Sequence, residues 1–227
     1  MSGGYVICEY EKVKQGFPKF QSVMTNLRNQ LIAKAEKDWN MPFAGRRKLP
    51  EAAARGVPLN APGPGLDVDV DRGEFGETTI LPALFNGLGA AFQPMTTWHQ
   101  WLTLTAPEIA LGGASKVIIT GADTAGRIFE DYKVGLAGLV FLDKAIRISE
   151  IKMQISDKKL PRVNIEEALA YNKPAIVFEE GYILDEEKGF DLYANVLTQG
   201  PCRIKLLGLQ LNRLKDKILT DTGAALV

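Results

Sequence analysis

The clearest periodicity along the chain lies near its N-terminus. Phe20, Val23, Met24, Leu27, Leu31 and Ile32 recur at three- and four-residue spacing, and Ala35 and Trp39 continue that face. Arg28, Lys34, Lys37 and Asp38 lie mostly off it. Pro18 stands where a helix begins and Pro42 just past its end, so the pattern predicts a helix over about 19–39. Residues 40–66 follow without period. Pro42, Gly45, Pro50, Gly56, Pro58, Pro62, Gly63, Pro64 and Gly65 punctuate them, and only Glu51–Arg55 has the composition of a helical turn. An irregular stretch this long usually has a task, and its prolines favour a stiff, extended strap lying over a surface.

The middle, 78–142, is apolar and rich in small residues, with Pro82, Pro94 and Pro107 cutting it too short for a long helix, and the C-terminal third has the rhythm of strands. Lys116–Thr120 reads as a buried strand closed by Gly121, and Val134–Leu142 as another. Ile146, Ile148, Ile151, Met153 and Ile155 alternate with polar residues apart from one slip at Ser149–Glu150, the signature of a β-bulge. Asn164-Ile-Glu-Glu167 resembles a capping box and predicts a short helix ending before Pro174. Strands are then predicted at Ala175–Leu184, Phe190–Leu197 and Arg203–Leu211, joined by turns at Asp185–Gly189 and Gln199–Pro201. Three in succession suggest an antiparallel meander, with Leu211–Leu219 continuing as strand or helix. The expected architecture is mainly β. An antiparallel β-sandwich body over 67–227 follows an N-terminal arm over 1–66, made of the helix and the strap.

Composition changes this picture in one respect. The chain of 227 residues carries 27 Lys and Arg against 27 Asp and Glu, with a single His. The zero is a sum of unlike parts, because residues 1–60 hold ten basic and five acidic side chains and residues 61–227 hold seventeen and twenty-two. A basic arm and an acidic body are complementary in sign, which suits packing between copies. The balance excludes a disordered chain and a histone-like polycation. Cys8 and Cys202 are too few and too far apart for a disulfide framework, and with one His they cannot form a zinc site; both are expected as buried thiols. No apolar run is long enough to span a bilayer as a helix, and the start, Met1-Ser-Gly-Gly-Tyr, does not read as a secretion signal.

The chemical motifs are incomplete. Lys116–Gly126, KVIITGADTAG, runs from a strand into a glycine loop as nucleotide-binding βα units do. After Gly121, however, the next glycine is Gly126 and no third follows. Asp67, Asp69 and Asp71 alternate like the start of a calcium loop, but Arg72 and Thr78 occupy the positions that need Gly and Glu. They are a weak metal candidate beside the simpler reading of an edge strand. His99 between Trp98 and Trp101 offers a stacking surface for a sugar or base, against the ordinary alternative of a packed aromatic patch. Glu179, Glu180, Asp185, Glu186, Glu187 and Asp191 crowd one hairpin and read as a solvated loop tip. Arg46, Arg47, Lys48 and Arg55 form a basic cluster suited to non-specific phosphate contact or to a neighbouring subunit. No catalytic residue and no cofactor is assigned.

The stretches ISEIKMQIS, KPAIVFEEGYIL, GFDLYANVL and CRIKLLGLQL resemble the β-sandwich structural proteins of virus particles, including single jelly-roll coat subunits. The resemblance covers about the last 110 residues and rests on pattern. It implies a non-enzymatic, self-assembling coat, connector or appendage subunit whose partners are copies of itself and other structural subunits. Its place would be the virion, assembled in a host cytoplasm, and any contact with nucleic acid would be non-specific. The alternatives are a nucleic-acid-binding subunit of a ribonucleoprotein and a sugar- or small-molecule-binding domain.

Overall fold

The computed structural model describes residues 4–41, 43, 75–105 and 115–213. Along the chain come β1 (Tyr5–Cys8), α1 (Tyr10–Lys14), α2 (Pro18–Trp39), β2 (Phe75–Thr79), a 3-10 turn at Pro82–Leu84, β3 (Phe85–Leu88), β4 (Phe92–Pro94) and β5 (Leu102–Leu104). Then follow β6 (Lys116–Gly121), β7 (Tyr132–Phe141), β8 (Ile148–Ile155), β9 (Lys158–Lys159), β10 (Val163–Asn164), α3 (Glu166–Ala170), β11 (Ala175–Leu184), β12 (Phe190–Val196), β13 (Gly200–Cys202) and β14 (Ile204–Arg213).

Two antiparallel sheets pack face to face. The first has the order β1-β11-β7-β14-β2, and the second β10-β8-β12-β6-β3-β4 with β9 beside β8. Eight of these strands form one device. Taken in chain order, β2, β6, β7, β8, β10, β11, β12 and β14 pair first with eighth, second with seventh, third with sixth and fourth with fifth. That is a long antiparallel ribbon doubled over and wound into two Greek keys, a single jelly roll. β3, β4 and β5 are inserted between its first two strands. β3 and β4 widen the second sheet, and β5 pairs with β13 in a separate ribbon.

The expected meander over β11, β12 and β14 does not form, because consecutive strands alternate between sheets. Burial gives the reason. The start of β11, Ala175–Phe178, is buried on both faces, which only the helix-covered sheet can satisfy. β12 is buried on alternate residues and suits a sheet with one wet face. The Asp185–Gly189 turn therefore crosses between sheets. The outer face of the second sheet presents Glu150, Lys152 and Gln154 beside Asn195, Tyr193 and Asp191.

The helix predicted over 19–39 is α2. Pro18 sits in its first turn, and Asn40 ends it in the left-handed conformation, with φ of 51°. Its buried face, Val23, Leu27, Leu31, Ile32, Ala35 and Trp39, lies against the first sheet of its own chain. Each of its Val, Leu and Ile side chains contributes roughly 1.5–3 kcal/mol when fully buried. Close approach depends on Gly135 of β7, where a Cβ would lie 2.9 Å from Leu27 Cγ. β1 joins the same sheet as its edge strand. Residues 4–41 thus lie on the body rather than apart from it, while the strap expected over 40–66 lies outside the described residues apart from 40, 41 and 43.

Two local expectations can be followed residue by residue. On β8, Asn195 pairs with Glu150 and Val196 with Ile148, so Ser149 is the extra residue of a bulge. The short helix expected after Asn164 is α3, but its cap is Ile165 and no side chain caps it, so the capping box does not form; Asn164 Oδ1 accepts the Glu166 N–H at 3.1 Å in a turn just ahead of the helix. The expected tail from Leu211 continues β14 to Arg213, and its remainder lies outside the described residues.

Candidate interaction surfaces

Among the described residues the space between the sheets is lined by a cluster of buried apolar side chains. Phe85, Phe190, Leu192, Ile118, Ile119, Leu136 and Leu139 are all fully buried there. Partners of this body must therefore be met on its outer faces, edges and loops.

The aromatic motif is divided by its turn. Trp98 is buried, packs on Phe85 at a ring separation of 6.2 Å and donates from Nε1 to the Ile80 carbonyl at 3.3 Å. His99 is exposed, and Trp101 is the half that faces out, 52% exposed. Trp98 and Trp101 therefore do not form a paired stacking platform. Trp101 instead carries the guanidinium of Arg203 4.4 Å above its ring. Arg203 is held in turn by Asp143, at 2.7 and 2.9 Å through its side chain, with its own N–H donating to the same carboxylate at 2.7 Å. Exposed Ile146 and Leu197 lie on the adjoining loop and strand end, where Arg147 accepts the Leu197 N–H. Asp143 thus holds an exposed Trp–Arg pair at the surface. Sequence reasoning named Trp101 but missed Arg203 and Asp143, which lie 60 residues apart and share no local pattern.

A second centre was read differently from sequence. Asp185 and Glu186, expected at a solvated tip, are half-buried. They enclose Lys133, which is 1% exposed. Its ammonium lies 2.9 Å from Asp38, 3.2 Å from Asp185 and 3.7 Å from Glu186. Lys34 reaches Asp185 at 2.6 Å, and Trp39 Nε1 donates to both Glu186 oxygens at 3.1 Å. Arg213, paired with Asp131 at 2.7 Å, lies 5.3 Å from the Trp39 ring on its side chain's cationic carbon, as does the Lys133 ammonium. Burial pulls the Lys133 ammonium toward deprotonation, but the bonds to Asp38 and Asp185 outweigh it and its pKa is raised. The bond from Lys133 lowers the Asp38 carboxyl. The arrangement locks the end of α2 onto β7, the β11–β12 turn and β14. With Arg28 bound to Glu77 at 2.6 Å, part of the basic–acidic complementarity is met within one chain. The sequence signal for Lys133 was a single charge opening an apolar run, Tyr-Lys-Val-Gly-Leu-Ala-Gly-Leu-Val.

The remaining motifs resolve simply. In KVIITGADTAG the loop after β6 folds on itself, with Asp123 accepting from the Ala125 and Arg127 N–H groups at 2.7 Å and from the Arg127 side chain. Those amides face a carboxylate and are not open to a phosphate. Cys8 and Cys202 are free and buried, and burial pushes the Cys202 thiol up to about 12. Arg46, Arg47, Lys48 and Arg55, like Asp67, Asp69 and Asp71, lie outside the described residues. Among the described residues no group of His, Cys, Asp and Glu is placed to hold a metal ion. No helix among them is long and apolar enough to cross a membrane. No family model, curated protein or solved structure matches the chain.

Proposed function

We propose that this protein is a non-enzymatic structural subunit that assembles with copies of itself, as a coat, connector or appendage component of a virion. The observation that carries the reading is the strand order, in which each jelly-roll strand pairs with its counterpart counted from the other end. Jelly rolls serve viral capsids and lectins and also form the cupin fold. A lectin-like or small-molecule role is less well supported, because Trp98 is buried and so cannot pair with Trp101 as a stacking platform. The apolar core, the helix-backed first sheet and the exposed Trp101 suit a rigid building block that meets neighbours by its surface. Partners would be further copies and other structural subunits, and the site of action the virion. Sedimentation and light scattering of the intact chain at rising concentration, followed by electron microscopy, test the proposal. Defined oligomers or particles are expected. A clean monomer at the highest attainable concentration, across low and high salt, overturns it.

A further inference from the structure

We infer that the free edge of β1 is a two-fold contact between copies of this chain, formed by antiparallel pairing of Tyr5–Cys8 with the same strand of a second copy. The inference rests on the assembly reading above and names one of its interfaces. Among the described residues β1 is the last strand of the first sheet and has a strand neighbour on one side only, β11. Gly4 O accepts the Glu179 N–H at 2.9 Å, so the alternation of an antiparallel ladder turns Gly4, Val6 and Cys8 toward β11. The N–H and C=O groups of Tyr5 and Ile7 then point outward.

Proteins commonly protect such an edge with a charge, a proline or a bulge. Tyr-Val-Ile-Cys carries none of these. Beside the edge runs a groove of about 330 Å³ lined by Tyr5, Ile7, Asn164, Glu167, Tyr171 and Lys173. Tyr171 is 69% exposed, more than the other exposed large apolar side chains, and Tyr5 is exposed as well. An unprotected edge above an aromatic groove is the geometry of strand addition.

The occupant follows from the strand's own symmetry. If Val6 of one copy faces Val6 of the other, Tyr5 falls opposite Ile7 of the second copy, and the reverse holds across the axis. This register places all four outward peptide groups of Tyr5 and Ile7 in hydrogen-bonded pairs. It also sets an aromatic ring against a β-branched side chain twice, a favourable cross-strand pair. The groove adds charge complementarity. Glu167 and Lys173 make no ion pair among the described residues, and a two-fold axis allows each to face its opposite on the second copy. The two five-stranded sheets would join into one continuous sheet.

The register gives a direct test. Val6 sits at a non-hydrogen-bonded pair, where facing Cα atoms approach to about 4.5 Å, within disulfide range. The intact Val6→Cys protein is oxidised mildly and run on a non-reducing gel, with the wild type, whose thiols are buried, as background. A reducible dimer is expected, and adding Tyr5→Lys should lower its yield at matched protein concentration and oxidation time. Tyr5→Lys alone should weaken dimerisation about tenfold, since two symmetric Tyr–Ile contacts are lost. At concentrations too low for dimer its melting temperature should stay close to that of the wild type, because the Tyr5 side chain lies at the surface. Assembly with no cross-link above background overturns the β1 interface and leaves the assembly reading standing. A wild-type protein that is monomeric at every concentration overturns both.

Discussion

Ser149 shows how a single residue can serve topology at a local cost. It is the inserted residue of the β8 bulge, and its carbonyl accepts the Ile165 N–H at 2.8 Å. Its hydroxyl is buried without a partner among the described residues. A buried, unpaired hydroxyl costs about 1–3 kcal/mol. Ser149→Ala keeps the backbone bond and removes the stranded oxygen, so it should stabilise the fold by about 1 kcal/mol, read as a higher urea midpoint at unchanged slope. The bulge was legible in sequence because Ile148 and Ile151 break an otherwise strict alternation. The fate of the hydroxyl was not, since nothing local reveals what stands over it. The same contrast holds for Trp98 and Trp101. Three residues of spacing place two large rings in one motif, but the turn sends one into the core and the other outside.

The elements were legible in proportion to how one-sided their burial is. α2 and β12 follow clean periods of 3.6 and 2 and appear where the pattern places them. β11 was recognised as a strand, yet its run Ala-Ile-Val-Phe already held the information that it needs cover on both faces and cannot neighbour β12 in a half-wet sheet. The clamp on α2 could not be read, because Lys133 meets Asp38 and Asp185 across 95 and 52 residues. Asp38 lies in the last turn of α2, where the helix dipole disfavours an anion, so Lys133 offsets that field as well as binding the carboxylate. Lys133→Ala leaves the acids around an empty site and should cost about 3 kcal/mol in denaturant unfolding. The pH dependence has two limits. The Asp38 carboxyl is lowered on folding, so its contribution is complete above its unfolded value of about 3.9 and is lost as pH falls through the folded one. The Lys133 ammonium is raised, so its contribution is complete below about pH 10.4 and is lost as pH climbs through the folded value. Asp38→Asn should therefore be less stable than wild type at pH 7. Its melting temperature should fall less steeply than that of the wild type below pH 4.

At the scale of the whole molecule, the doubled ribbon sets a folding order. Val163 and Ile151, in the fourth–fifth pair, are 12 residues apart, whereas Leu209 and Thr79, in the first–eighth pair, are 130 apart. Closing the longer loop from an open chain costs about 2 kcal/mol more in entropy. Once the bend of the ribbon has formed, however, each outer pair closes only a short additional loop. Pairing should therefore begin where β8, β10 and β11 meet β7 and β12, and end with β14 against β2. The C-terminal half of α2, from Leu31 to Trp39, follows late, since its seat on Leu209 and Leu211 exists only after β14 is in place, whereas Val23 and Leu27 can dock on β7 earlier. Truncations test the order. Ile151→Ala and Val163→Ala should mainly slow refolding, while Leu209→Ala and Leu31→Ala should leave refolding nearly unchanged and speed unfolding. Similar refolding effects at both ends would refute it. The order also bears on assembly. If β2, β14 and the C-terminal half of α2 close last, intermediates keep a long strand edge open, and stray pairing competes with correct contacts until they close. Yield of well-formed assemblies should then depend more on the Leu209 and Leu31 end, where closure is late, than on the bend. Comparing particle yield for the four variants at matched stability separates that effect from simple loss of folded protein.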